Sequence, residues 1–448
     1  MSATPKCLIT GILLAFLLLR CGENALPPSS AQPVTAIVGA RLIDGTGAAV
    51  IEDSVVVIEG ARIQAVGPRS HTPVPKGGEI IDGIGKTLIP GLVDTHAHYH
   101  GERPEVEHRF KAQLYFGVTT SRSIGVDPEE KLAMIADGRA GRIAMPRLYT
   151  AGLGFTAPKG HPVNREVNRP ASVEEARQNV ATLAAQEVDF VKMWVDTLRS
   201  TVPKITPEIR AAIVEEARKH NIPSVAHISE EADVRQLIGV GVKDFLHTVS
   251  DTEAGPDFIK LCLDNGVTFS PTLTNAQAGW NYAEHPELLD DVAMRAAFDA
   301  ESLASWQDPK HRQEVLARAG FAERKARFAQ SLRFVKLLAD AGVRIAAGTD
   351  SGGGSPSNVP MGWGTHRELQ LLVEAGFTPL QAIVAGTKNG AGLLAGDKSG
   401  YGTIEVGKAA DLLLLDADPL ADIRNTLKIH RVMQAGKWLN REELLSLE

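Results

Sequence analysis

The chain has 448 residues, 44% of them hydrophobic and 23% charged, and its 47 Lys and Arg against 54 Asp and Glu give a net charge of −7. That is the composition of a globular protein, and it excludes a disordered or collagen-like chain. The mild acidity excludes a nucleic-acid binder working through a basic face, and the length suits one large barrel with an accessory domain.

Lys6 precedes an apolar run, Cys7-Leu8-Ile9-Thr10-Gly11-Ile12-Leu13-Leu14-Ala15-Phe16-Leu17-Leu18-Leu19, which Arg20 ends. A membrane-spanning helix needs about 20 apolar residues, so residues 1–21 read as an export signal. Leu18-Leu19-Arg20-Cys21 has the form of a bacterial lipobox with Cys21 as the acylated residue, although Arg20 stands where a small residue belongs. Ser29-Ser30-Ala31 offers ordinary cleavage instead, and an uncleaved anchor is a third reading. The expected location is therefore outside the cytoplasm, either periplasmic or as a membrane-anchored lipoprotein. Residues 22–33 are rich in Pro and Ser and read as a linker. Cys262 is the one cysteine beyond this segment, so no internal disulfide is expected, and its apolar helical setting predicts a buried, inert thiol.

From 34 to 89 come short β-rich runs at 35–38, 54–59, 62–66 and 79–82, separated by turn residues. A matching set at 402–404, 411–415 and 431–435 lies within 396–440, ahead of a C-terminal tail at 441–448. Two β-rich ends around a long middle predict one small β-sandwich built from both termini. The middle, 90–395, alternates strand and helix patterns. Strands are predicted at 92–98, 118–123, 147–152, 188–195, 223–227, 244–247, 267–271 and 344–350. Ser172-Val173-Glu174-Glu175 has the form of a capping box, and Thr206-Pro207 places a cap before a proline at the first helical position. The predicted fold class is α/β, a (β/α)8 TIM barrel carrying the β-sandwich. A doubly wound open sheet is the alternative, but no Gly-x-Gly-x-x-Gly follows a strand.

Strands buried in a parallel sheet should be almost continuously apolar, and the C-terminal strand ends of a barrel form its active-site face. Five of the predicted strands end in ionisable groups instead. In Leu92-Val93-Asp94-Thr95-His96-Ala97-His98 the period of two puts His96 and His98 on one face, where both can ligate one metal. His100 continues the alternation past the strand end. Lys192 lies within a strand, where burial and nearby cations favour its neutral amine. A neutral amine can add carbon dioxide to become a carbamate, an anionic ligand with two oxygens. His227, His247 and Asp350 end three more strands. Each alone has an ordinary explanation as a cap, a hydrogen-bonded histidine or an ion-paired lysine. Together they mark one mouth of one barrel.

His96-Ala97-His98, Lys192, His227, His247 and Gly348-Thr349-Asp350, with Gly402-Thr403-Ile404-Glu405-Val406-Gly407-Lys408-Ala409-Ala410-Asp411-Leu412 further on, carry a family resemblance. Over 34–440 the chain resembles the amidohydrolase superfamily, in particular its imidazolonepropionase-like and prolidase-like members. The resemblance implies two divalent metal ions, zinc by the chemistry of imidazole-rich sites. It assigns His96, His98 and Asp350 to one ion and His227 and His247 to the other, with carboxylated Lys192 and a hydroxide bridging them. A carbamate, Asp350 and a hydroxide nearly balance two dications, whereas a Lys192 ammonium would add a further positive charge.

The implied activity is hydrolysis of an amide or peptide-like C–N bond in a small molecule such as a dipeptide or N-acyl amino acid. Asp350 acts as general acid and base. The runner-up is a mononuclear imidazolonepropionase-like cyclic-amide hydrolase or deaminase, in which an acid follows the fifth strand, and Glu230 leaves that open. Other readings are phosphotriester or lactone hydrolysis, and a non-catalytic exported solute-binding lipoprotein. His161, in a Gly- and Pro-rich loop after the third strand, is the candidate for binding a substrate carbonyl or carboxylate. Residues 275–329, with Trp280, Tyr282 and Trp306, form either a lid or an external helical pair, with His285 and His311 in solvent. His366 either supports the site or caps a helix. The expected partner is a small molecule; no nucleic acid is expected, a membrane is met only through Cys21, and homo-oligomerisation stays open.

Overall fold

The computed structural model describes residues 33–445 and 447, apart from 199, 355 and 356. The expected export signal with Cys21, and all of the expected linker but Pro33, lie outside the described residues.

The strands, in chain order, are β1 (Val34–Leu42), β2 (Ile51–Glu59), β3 (Arg62–Pro68), β4 (Glu79–Asp82), β5 (Thr87–Pro90), β6 (Leu92–Ala97), β7 (Val118–Ser123) and β8 (Arg147–Thr150). They continue as β9 (Val191–Val195), β10 (Ser224–Ile228), β11 (Asp244–Leu246), β12 (Thr268–Ser270), β13 (Arg344–Ile345), β14 (Leu412–Leu415), β15 (Ile429–Gln434) and β16 (Lys437–Trp438). Both ends of the chain enter one sheet, ordered β16-β15-β14-β5-β1-β2-β3 with β4 beside β1. The junction is the antiparallel pairing of β5 with β14, Thr87 opposite Leu415. Strand alternation sorts the apolar side chains to two faces. Ile37, Val56, Ile58, Leu412 and Leu414 share one cluster, and Ala36, Val38, Val55 and Val57 another.

The run expected as a strand at 402–404 is instead a bend. Gly402 takes a left-handed backbone (φ +88) and a Cβ there would lie 2.3 Å from Ala391 Cβ, so it cannot continue a ladder. Ile404 is still buried, in the same cluster as Leu412.

The middle of the chain forms two parallel sheets, β6-β7-β8 and β13-β12-β11-β10-β9. Backbone hydrogen bonds join them at both edges. On one side Asp189 N–H donates to Thr150 O (2.9 Å), Phe155 N–H to Lys192 O (2.7 Å) and Trp194 N–H to Phe155 O (2.8 Å). On the other, Thr95 N–H donates to Ala347 O (3.0 Å), Asp350 N–H to His96 O (2.7 Å) and His98 N–H to Ser351 O (2.7 Å). The expected strand at 344–350 shrinks to β13. Asp350 has φ +58, and its N–H and that of Thr349 both turn to His96 O, which a regular ladder does not allow.

The helices follow their start signals. Ser172 Oγ accepts from Glu175 N–H at the head of the helix Val173–Ala185, and Thr206 Oγ1 accepts from Ile209 N–H at the head of Pro207–Lys219. Cys262, on the helix Pro256–Asp264, is fully buried, and burial pushes its thiol up to about 12, the inert state expected. Between the parallel sheets lies a polar layer. Buried Arg122 pairs with Asp244 and donates from Nε to Thr95 O (2.7 Å), while Thr95 Oγ1 and Ser270 Oγ lie 2.7 Å apart.

Residues 275–329 are not a helical pair. They run through the short helices Leu273–Ala278, Asn281–Glu284, Val292–Ala296, Ala300–Gln307 and Pro309–Leu316 into Phe321–Asp340. Trp280, Tyr282 and Trp306 are buried in a cluster with Phe110 and Phe116, at the helix Arg103–Tyr115. These aromatic side chains fill a satellite core, which is what cuts the segment into short pieces. His285 is exposed as expected, whereas His311 is half-buried with its ring centroid 5.0 Å from that of Trp306.

Candidate metal centre

The alternation along β6 does what its period dictates: His96 and His98 point the same way. Their Nε2 atoms are 3.3 Å apart and lie 3.2 and 3.0 Å from Asp350 Oδ1. His247 stands one residue past β11. Its ring centroid is 5.1 Å from that of His96 and 4.1 Å from that of His227, on β10. His161 reaches the group from its loop, 5.6 Å from His227 between ring centroids. These six side chains, with His100 and Arg165, line one small cavity of about 50 Å³.

Burial governs the protonation of this cluster. It lowers His96 to about 3, with Lys192 and His98 adding to the effect and Asp350 opposing it. It likewise drives His247 well below the ordinary imidazole value, and lowers His227. Burial opposes ionisation of Asp350, but the charges and hydrogen bonds of His96 and His98 outweigh it and hold the carboxyl well below its usual range. Burial disfavours protonation of His96, His227 and His247 while Asp350 is favoured as the carboxylate, the forms that a divalent cation requires of its ligands.

The hydrogen bonds leave particular atoms free. His247 Nδ1 pairs with Thr272 Oγ1 (2.7 Å), and its Nε2 is buried with no partner. His227 Nε2 faces Asp196 Oδ2 (3.2 Å), so its Nδ1 is the nitrogen left for a ligand role. Asp196 is fixed in turn by Ser229 Oγ (3.0 Å) and Leu198 N–H (2.9 Å). Such carboxylates orient ligating histidines.

The residues present fit a metal ion. Ligands about 2.0–2.1 Å from a tetrahedral zinc stand roughly 3.3 Å from one another. The distances among His96 Nε2, His98 Nε2 and Asp350 Oδ1, 3.0 to 3.3 Å, match that spacing. His96, His247 and Asp350 also offer ligand atoms all within 4.8 Å of one another.

Lys192 sits on β9, fully buried, its Nζ without a hydrogen-bond partner. Burial, reinforced by Arg122 and opposed by Asp350 and Asp244, holds its pKa well below the ordinary lysine value. Gly154 makes room for its stem: a Cβ there would lie 3.0 Å from Lys192 Cγ and 2.5 Å from the Trp194 ring. The side chain lies against this floor and is not part of the cavity wall.

Two expectations change. His366 is fully buried away from the cavity, pairing through Nδ1 with Thr426 Oγ1 (2.9 Å) and through Nε2 with Phe116 O (2.8 Å). It cross-braces the helix Trp363–Glu374 rather than supporting the site or capping a helix. Glu230 turns away to Lys204 Nζ (3.0 Å) and does not line the cavity.

Other residues were not anticipated. Asp94, fully buried, accepts from Thr349 Oγ1 (2.7 Å), Thr349 N–H (3.1 Å) and His96 N–H (3.1 Å), and burial raises it to about 6. It shares the strand face of His96 and His98, and that parity was the signal available. Asn275 Nδ2 donates to Asp350 Oδ2 at 2.6 Å. His247, Thr272 and Asp350 all adopt left-handed backbone (φ 74, 52 and 58), a conformation costing about 1–3 kcal/mol per residue and concentrated at functional sites.

The model of the amidohydrolase family matches residues 87–439. The chain belongs to the amidohydrolase family. This amidohydrolase is 26% identical over 446 residues to ochratoxinase of Aspergillus niger, covering 87% of this chain and 83% of the relative. It is 28% identical over 402 residues to imidazolonepropionase of Anaeromyxobacter sp. (strain K), covering 82% and 85%. Among solved structures, a Xaa-Pro dipeptidase with bound methionine superposes with a TM-score of 0.70 at 21% identity, over 91% of this chain and 100% of that one, a likeness of fold. The amidohydrolase is accordingly a metal-dependent hydrolase of carbon–nitrogen bonds.

Proposed function

We propose that this amidohydrolase cleaves the amide or peptide-like bond of a small molecule, such as a dipeptide or N-acyl amino acid, at a centre for two divalent ions, zinc by ligand chemistry. His96, His98 and Asp350 would hold one ion and His227 and His247 the other, and Lys192, once carboxylated, would supply a further anionic ligand. Such a pair of ions supplies hydroxide at neutral pH and polarises a carbonyl. The observation that carries the reading is Lys192: its amine is buried beside the histidine cluster with no hydrogen-bond partner, where burial outweighs the attraction of Asp350 and Asp244 for an ammonium. The neutral amine adds carbon dioxide at Nζ, forming an N–C bond and releasing a proton, and becomes a carbamate anion.

The chain's own groups supply the rest. Asp350 keeps Oδ1 toward His96 and His98 and Oδ2 toward Asn275, so Oδ2 is placed to take a proton from water and pass it to the leaving nitrogen. His161, neutral because burial lowers it to about 4, is placed to steer the substrate carbonyl or carboxylate. The two parallel sheets, bonded at both edges, support a closed (β/α)8 barrel over 90–395, and the shared sheet supports a β-sandwich from 34–89 and 396–440. Residues 1–21 serve export, to the periplasm or to a lipid anchor at Cys21.

Metal analysis of purified protein prepared with zinc and bicarbonate is expected to give two ions per chain, with amine release from N-acyl amino acids or dipeptides stopped by a chelator. Replacing Lys192 by Met is expected to remove the second ion. One ion per chain, unchanged by that substitution, would return the site to the mononuclear reading.

A further inference from the structure

Among the residues lining the cavity, Arg165 is the one lysine or arginine. Nothing in its surroundings balances it. Among the described residues no carboxylate lies within ion-pair distance, and its guanidinium makes only a long hydrogen bond, Nη2 to Gly354 O at 3.4 Å. The neighbouring cations are matched: Arg109 lies 3.5 Å from Asp299, and Asp127 attracts Lys131. Asp350, the one carboxylate on the wall, is already taken by His96, His98 and Asn275. His100 and His161 share the wall as imidazoles, which offer a carboxylate one hydrogen bond each. Arg165 is therefore the one Lys or Arg on this wall, and it has no carboxylate partner among the described residues.

That charge sits on a fixed support. The guanidinium of Arg169 donates to the carbonyls of Ala157 (3.3 Å), Gly160 (3.0 Å), Pro162, Val163 (3.2 Å) and Arg165 (3.4 Å). The loop backbone bearing His161 and Arg165 is thus wrapped around the half-buried guanidinium of Arg169.

We propose that Arg165 receives a carboxylate of the substrate, so that the molecule hydrolysed is an amide carrying a free acid and not a neutral amide or urea. This rests on the hydrolase reading given above. A planar guanidinium matches a carboxylate through two parallel hydrogen bonds, and no other group on this wall can do so. N-acyl amino acids and dipeptides satisfy the requirement.

The test pairs each N-acetyl amino acid with the N-acetyl amine that lacks only the carboxylate, for example N-acetyl-L-leucine with N-acetyl-3-methylbutylamine, on the metal-loaded full chain. The wild type is expected to favour the acid series. Arg165→Gln should raise KM for the acids roughly 10- to 100-fold with a much smaller change in kcat, as for a lost hydrogen bond to a charged group. Arg165→Lys should recover part of that loss, and the ratio between series should fall toward one. Equal losses in both series, or a wild type that takes the neutral amines as readily as the acids, overturns the role of Arg165 and leaves the hydrolase standing. Turnover of neither series, nor of dipeptides, overturns the hydrolase reading and this inference with it.

Discussion

Asp350 is held at both oxygens. Oδ1 meets two imidazoles and Oδ2 meets the amide of Asn275, on a left-handed backbone that the hydrogen bonds to His96 O enforce. A carboxylate restrained in this way loses little freedom when it moves a proton, and an amide nitrogen leaves poorly without one. Asp350→Asn keeps the shape and removes the base. Turnover is expected to fall roughly 100- to 10,000-fold, the usual worth of a positioned acid–base group, with the melting temperature little changed. Bound metal is measured on the same sample, to separate loss of an ion from loss of proton transfer. Near-normal kcat in that variant would strip Asp350 of its role. At this scale the strand-borne members of the cluster could be read from sequence because period two and an ionisable residue in an apolar run are local signals. Asn275 and Asp196 could not: their partners are 75 and 31 residues away.

The helix Leu273–Ala278 shows what an element contributes. It is only six residues long and has no cap of its own. Its first, buried N–H groups are met by Glu368, from the helix Trp363–Glu374: Oε1 accepts from Leu273 N–H (3.0 Å) and Oε2 from Thr274 N–H (2.7 Å) and Thr274 Oγ1 (2.8 Å). With its head so fixed, the segment delivers Thr272 to His247 and Asn275 to Asp350. Burial raises Glu368 from 4.5 to about 7, against the pull of these hydrogen bonds. Because the folded value is the higher one, the native state holds this proton over a range where the unfolded chain has released it. The contribution to stability is present below about 4.5 and is lost as pH rises through about 7. Glu368→Gln should flatten that part of the melting-temperature profile, while the wild type falls across it. Parallel profiles for the two proteins would refute the assignment. No sequence pattern announces this helix, since its cap lies 95 residues further along the chain.

For the whole molecule, the alternation of strand and helix and the β-rich ends made the parallel sheets and the sheet shared by both chain ends readable, because both are repeated local patterns. The interior was harder to foresee. Arg122 and Asp244 occur in strands as isolated charges, and only the meeting of β7 with β11 across the interior makes them a pair. Arg122 also lowers Lys192 from beneath, so the layer that fills the interior acts on the site above it. Removing one member leaves the other buried and unpaired, which typically costs about 3–5 kcal/mol, whereas replacing both with apolar residues of similar volume is often neutral. Arg122→Met alone is therefore expected to lower the denaturant midpoint sharply, and Arg122→Met with Asp244→Leu to recover most of the loss. Arg122 lowers Lys192 and Asp244 raises it, so the double variant removes two opposed influences and is expected to keep its zinc, read beside the unfolding curve. A double variant as unstable as the single one would mean that the pair sets the register of the sheets and does more than fill space. Full stability with lost zinc would mean that the pair supports the site by more than these opposed charges.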